Sequence, residues 1–150
     1  MGRVGIGQDS HRFEKGKDLI LGGVKIPDHD GLRANSDGDV VLHSLCNAIA
    51  SAIGMGSLST YADDLLKKGI EDSRRYVEHI LSKTNLKVIN AGISIEAKTP
   101  KLEQFLPKMN KEIEKIINAP AGVTVTSGEG LTDFGLGKGI RSTAIVLLGE

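Results

Sequence analysis

Arg3-Val4-Gly5-Ile6-Gly7-Gln8-Asp9-Ser10-His11 is the stretch on which the fold of this 150-residue chain turns. It reads as an opening strand that ends in polar residues, and residues two apart on a strand face the same side. The Asp9 carboxylate and the His11 imidazole are thus presented together. A carboxylate beside an imidazole is two thirds of a metal site, although a D-x-H of this kind equally marks where a strand leaves the core. The candidate third ligand is His43, in the segment after Asn35-Ser36-Asp37-Gly38-Asp39. Ser10 does not complete a Ser-His-Asp arrangement, because neighbouring strand residues point in opposite directions.

Working outward, Asp18 to Pro27 holds two short apolar runs about Gly22-Gly23, the signature of a hairpin. Pro27, Asp28, Asp30 and Gly31 then mark a loop. Ser36, Asp37 and Asp39 are each able to cap a helix that runs to about Ile53. In that helix Leu42, Leu45, Ile49 and Ile53 form the buried stripe. Asp39, His43 and Asn47, four residues apart, form a second line that is either ligand-bearing or simply solvated.

Gly54-Met55-Gly56-Ser57 ends the helix. The stretch to Gly69 lacks a clean period and reads as a loop over a site, with at most a short helical turn at Asp63 to Lys68. Asp72-Ser73 opens a second helix with Tyr76, Val77, Ile80 and Leu81 facing inward; His79, like His29, reads as solvated. Ile89, Ala91, Ile93 and Ile95 alternate along a strand. After the turn at Lys98 to Lys101, a third helix carries Leu106, Met109, Ile113 and Ile117, with Pro107 in its first turn. Val123 to Thr126 and Ile140 to Leu148 are strands, and Asp133 to Gly139 reads as a flexible hairpin loop between them.

This order predicts one α+β domain over residues 1–150, an α/β sandwich: a mixed four-stranded sheet with helices on one face plus a β-hairpin. With aromatics at only 3% of residues, such a sheet has a face left for neighbouring subunits to cover. Lys plus Arg and Asp plus Glu are 19 each, and the pI is about 6.9. No basic field exists to hold a nucleic acid. A single cysteine, Cys46, rules out an intramolecular disulfide framework and suits a reducing compartment. No apolar run nears the ~18 residues of a membrane span. The expectation is a cytoplasmic protein with neither a membrane nor a nucleic acid as partner.

Taken in order, G-x-G-x-D-x-H-R, L-I-L-G-G-V-x-I-P, S-D-G-D-V-x-x-H, Asp72-Ser73, A-x-x-P-K and T-S-x-E resemble the 2-C-methyl-D-erythritol 2,4-cyclodiphosphate synthase family over essentially the whole chain. That resemblance implies a homotrimer with active sites between subunits, and zinc on Asp9, His11 and His43. It places the cytosine at Ala97, Lys98, Thr99, Pro100, Lys101, Leu102 and Glu103, largely through main-chain groups. Thr126 and Ser127 match hydroxyl positions at the nucleotide phosphates. Glu129 matches the residue that binds a second divalent cation, magnesium or manganese. Ser36 and Asp63 correspond to residues around the methylerythritol phosphate, with Asn35 beside them. The implied catalytic set is Asp9, His11, His43, Ser36 and Glu129, acting on a cytidine diphosphate ester with release of cytidine monophosphate (CMP).

Several positions depart from the family pattern. Asn35 stands where histidine is common, Asn47 and Ser57 where aspartates are, Tyr61-Ala62-Asp63 for Phe-Pro-Asp, and Thr132-Asp133 for a glycine-aromatic pair. Cys46, one turn beyond His43, is either a competing ligand or a small buried hydrophobe. A zinc phosphoesterase and a metal- and nucleotide-binding homologue without turnover are the competing readings.

Overall fold

The computed structural model describes residues 1–150. β1 (Arg3–Leu21) is one long strand that serves two partners. Arg3 to Arg12 pairs antiparallel with β5 (Gly139–Gly149), from Arg3 opposite Leu148 to Arg12 opposite Gly139. From Phe13 onward β1 pairs with β2 (Val24–Leu32) through the Gly22-Gly23 turn, with register shifts between Glu14 and Asp18 and between Asp18 and Leu19. Both turn glycines have positive φ, a backbone region open to glycine at no steric cost. β3 (Lys87–Glu96) lies antiparallel to β5, and β4 (Ala121–Thr126) parallel to β3. The full order is β2-β1-β5-β3-β4. The expected four strands are the first half of β1 with β5, β3 and β4, and the hairpin is the second half of β1 with β2.

The first helix, α1 (Val40–Ile53), packs on β1 and β5. Gly5 and Gly7 make this possible: a Cβ on Gly7 would strike the backbone of Ala48 and Ser44, and one on Gly5 the Ala48 carbonyl. At this approach α1 covers the edge of β1 that β2 leaves open. Ser51 Oγ accepts from Ile6 N–H and donates to Ile6 O, both at 2.9 Å, and Asn47 Nδ2 donates to Gln8 O at 3.1 Å. Strand-edge groups are thereby satisfied by side chains.

The next helices are α2 (Ser59–Lys67), α3 (Ser73–Leu81) and α4 (Leu106–Ile117). The core is aliphatic; Tyr61 and Tyr76 are the only aromatics in its buried cluster. On the sheet face away from α1, Val4 and Ile6 lie opposite Leu147 and Ile145, and Val4, Ile6 and Ile145 are more than half exposed.

Some local expectations are corrected. The loop read at Pro27 to Gly31 lies within β2, because the strand resumes after Asp28 takes a left-handed conformation (φ 58°). The stretch read as a loop before Gly69 carries α2, held to the core by buried Tyr61 and Leu65. Those two apolar residues, four apart, are too sparse to declare a period. Asp133 to Gly139 is no hairpin loop, since β3 sits between β4 and β5. His79 is stacked on Tyr61, ring centroids 5.0 Å apart.

Candidate active site

Asp9 and His11 leave β1 on the side that Gly5 and Gly7 hold against α1, and His43 comes from the first turn of α1. That turn is fixed by Asp39, whose carboxylate accepts from Leu42 N–H (3.0 Å), Gly22 N–H (2.9 Å) and Gly23 N–H (2.7 Å). One fully buried side chain thus ties the start of the helix to the hairpin turn. Burial and the neighbouring Asp37 charge push the Asp39 carboxyl up to about 6, against the three N–H donors.

Asp9 Oδ2 lies 2.9 Å from His11 Nε2 and 3.0 Å from His43 Nδ1. Burial alone would raise the Asp9 carboxyl; the two adjacent imidazoles outweigh it and hold the group well below the usual carboxylate range. One ligand atom from each of Asp9, His11 and His43 falls within 4.8 Å of the others. Two imidazole nitrogens and one carboxylate oxygen suit a zinc-like ion that keeps a fourth position open. Behind the triad, His43 Nε2 meets Ser73 Oγ at 2.8 Å and Ser36 Oγ at 3.3 Å. Cys46 is fully buried outside the triad, its thiol pushed up to about 12 by burial.

The triad opens into a cavity of about 560 Å³ that Asn35, Ser36, Asp63, Asn47 and Ser57 also line. Arg33 is the only arginine or lysine on its wall, and no carboxylate pairs with it. Asn47 is structural as well, accepting from Leu58 N–H at 2.8 Å where α2 begins.

The remaining expected residues gather elsewhere. Ala97 N–H donates to Thr126 O (2.9 Å) and Lys98 N–H to Phe134 O (3.2 Å). The turn that follows, with Thr99-Pro100 in cis, is thereby docked on the loop after β4. Lys98, Lys101, Ser127 and Glu129 line a separate cavity of about 330 Å³ that none of the triad enters. Ala97 and Leu102 are buried, so they offer a ligand main-chain groups only. Glu129 has φ 53° between two positive-φ glycines, a left-handed conformation costing a non-glycine residue on the order of 1 kcal/mol.

A sequence model of the YgbB family matches residues 2–149. The chain belongs to the YgbB family. It is 45% identical to a Chlamydia trachomatis protein named 2-C-methyl-D-erythritol 2,4-cyclodiphosphate synthase, over 99% of this chain and 88% of that one. The bifunctional IspDF from Campylobacter jejuni is similar at 31% identity and TM-score 0.86; the match covers 99% of this chain and 42% of that longer one. A solved 2C-methyl-D-erythritol-2,4-cyclodiphosphate synthase in its CDP-bound form is similar at 30% identity and TM-score 0.86, covering 98% of this chain and all of that one.

Within this YgbB fold, three residues outside the expected site set stand beside it. Arg33 is one. Ser73 reads as a helix start and as part of the Asp72-Ser73 pair that resembles the family, with no site role assigned to it. His29, read as solvated, lies tilted against Phe13 (ring centroids 4.8 Å apart) and bonds Thr99 Oγ1 through Nε2 at 3.2 Å. Only the folded chain reveals that contact, between residues 70 apart in sequence.

Proposed function

We propose that this protein converts 4-diphosphocytidyl-2-C-methyl-D-erythritol 2-phosphate to 2-C-methyl-D-erythritol 2,4-cyclodiphosphate and releases CMP, in non-mevalonate isoprenoid biosynthesis. The observation that carries this reading is the convergence of Asp9, His11 and His43 on one point of a polar cavity, in a chain 45% identical to a protein of that name. In this reaction an oxygen of the 2-phosphate attacks the β-phosphorus, and the bond from that phosphorus to the CMP oxygen breaks. The attacking oxygen is already anionic at neutral pH, so no side chain has to remove a proton. The requirement is placement and charge neutralisation.

Asp9, His11 and His43 would hold zinc, and Glu129 a magnesium or manganese ion. When bound, these ions supply Lewis acidity and neutralise phosphate charge. Ser36, Asn35 and Asp63 orient the methylerythritol end by hydrogen bonding. Main-chain groups of 97–103 read the cytosine, with Lys98, Lys101 and the side chains of Thr99 and Glu103 around it. Thr126 and Ser127 hydroxyls donate to the nucleotide phosphates. No lysine, histidine or cysteine is placed to act as a nucleophile in the triad cavity apart from the metal-facing imidazoles.

The two halves of this residue set line different cavities of one chain. That separation supports a homotrimer in which each site takes its metal half from one subunit and its nucleotide half from the next. The exposed Val4, Ile6 and Ile145 face supports it too. The reading is of a one-domain phosphorus-oxygen lyase working in the cytoplasm. Incubating purified protein with the cytidine diphosphate substrate, zinc and magnesium should yield equal amounts of cyclic diphosphate and CMP. A linear phosphate product would mean a phosphoesterase, and no product from zinc-loaded trimer a binding protein.

A further inference from the structure

Ser73 Oγ is shared between a carboxylate and a metal-facing imidazole, lying 2.5 Å from Asp37 Oδ1 and 2.8 Å from His43 Nε2. Asp37 is itself pinned: its Oδ2 accepts from Ser73 N–H at 2.9 Å, and its Oδ1 from Asp39 N–H at 3.0 Å. A carboxylate only accepts, and a serine hydroxyl has one hydrogen to give. That hydrogen goes to Asp37, which leaves Ser73 Oγ an acceptor toward His43. His43 Nε2 must then carry the ring hydrogen. Ser36 Oγ, 3.3 Å from the same nitrogen, accommodates this as a second acceptor. Ser73 is fully buried and His43 nearly so, so solvent does not reassign these roles.

In the neutral ring the lone pair therefore sits on Nδ1, aimed at Asp9 Oδ2 only 3.0 Å away. Two lone pairs at that separation repel unless a cation lies between them. We infer that Asp37 and Ser73 are positioning residues that lock the His43 tautomer with Nδ1 free, and so set metal affinity without touching the metal. The inference rests on the reading of Asp9, His11 and His43 as a metal centre, and is independent of cyclisation. The chain of groups has a direction, from carboxylate to hydroxyl to imidazole to metal. Partners one step removed from a metal commonly govern its affinity by about 10- to 100-fold.

Two measurements test this on the full-length protein. Competition with a chromogenic chelator should show zinc affinity falling about 10- to 100-fold in Ser73→Ala and Asp37→Asn, and returning close to the starting value in Ser73→Thr, which keeps the hydroxyl. Nitrogen-15 histidine spectra of the zinc-loaded, unmutated protein should show His43 protonated at Nε2 and metal-bound at Nδ1. Zinc affinity unchanged in both variants, or a His43 hydrogen on Nδ1, would overturn the inference. If the variants do not fold, the spectrum of the unmutated protein decides alone. Neither readout involves the nucleotide substrate, so zinc bound through this tautomer without CMP release would count against the cyclase reading only.

Discussion

His43 Nδ1 lies 3.0 Å from Asp9 Oδ2, joining the first turn of α1 to the strand that carries His11. This pair makes metal capture a stabilising event, since the ligands converge only in the folded chain. Unmutated protein dialysed against zinc should retain one equivalent per chain by elemental analysis, and Asp9→Ala should retain almost none. Free zinc at 100 times its dissociation constant should add about 2.7 kcal/mol of stability to the unmutated protein. A thermal midpoint that ignores zinc would show that the triad is no metal site.

The Asp39 carboxyl predicts an unusual pH dependence. The ordinary value is 3.8 and the folded value about 6, so the folded chain holds this proton more tightly than the unfolded one. Its contribution to stability is fullest below the unfolded value and drains as pH rises through about 6. Relative to Asp39→Asn, which does not titrate, the unmutated protein should lose on the order of 2 kcal/mol between pH 4 and 6.5. Urea unfolding across that range reads the difference; parallel curves for the two proteins would refute it.

Gly7→Ala should be among the most damaging single-methyl changes in the chain. The added carbon would meet helix backbone, not the end of a flexible side chain. The cost should reach or exceed the upper end of the ~1–3 kcal/mol typical of overpacking. Gly122→Ala, where nothing stands within 4 Å, is the matched control. Equal denaturant midpoints for the two variants would contradict the close approach of α1 to β1.

Arg33 is the one permanent cation on the wall of the triad cavity. Arg33→Gln should raise KM for the phosphorylated substrate by about tenfold, as loss of a charged hydrogen bond does, with the difference shrinking as salt is added. Zinc content should not change. A KM indifferent to both the substitution and salt would place Arg33 outside the substrate's reach.

What the sequence discloses follows from how local each signal is. The i, i+2 spacing of Asp9 and His11 is a short-range pattern that survives folding intact; of the four-residue line, His43 and Asn47 share the cavity wall, while Asp39 turns inward as the helix cap. The buried stripes of α1, α3 and α4 are legible for the same reason. α2 is hidden because only Tyr61 and Leu65 are buried in it. Ser73 and His29 draw their significance from partners far away in the chain, Asp37 and His43 for one and Thr99 for the other. A one-dimensional period carries no trace of such pairings, whereas Asp39 as a cap is visible and its hold on Gly22 and Gly23 is not.

The divided pairing of β1 also sets an order of events. Its second half closes on β2 across a two-glycine turn, a local step open to a chain still being synthesised. Its first half, which bears Asp9 and His11, waits for β5 at the opposite end of the sequence, and such distant closures come late. A nascent chain would thus own its hairpin well before it owned a rigid pair of metal donors. A metal bound there would close over donors that become rigid only once β5 has paired with β1.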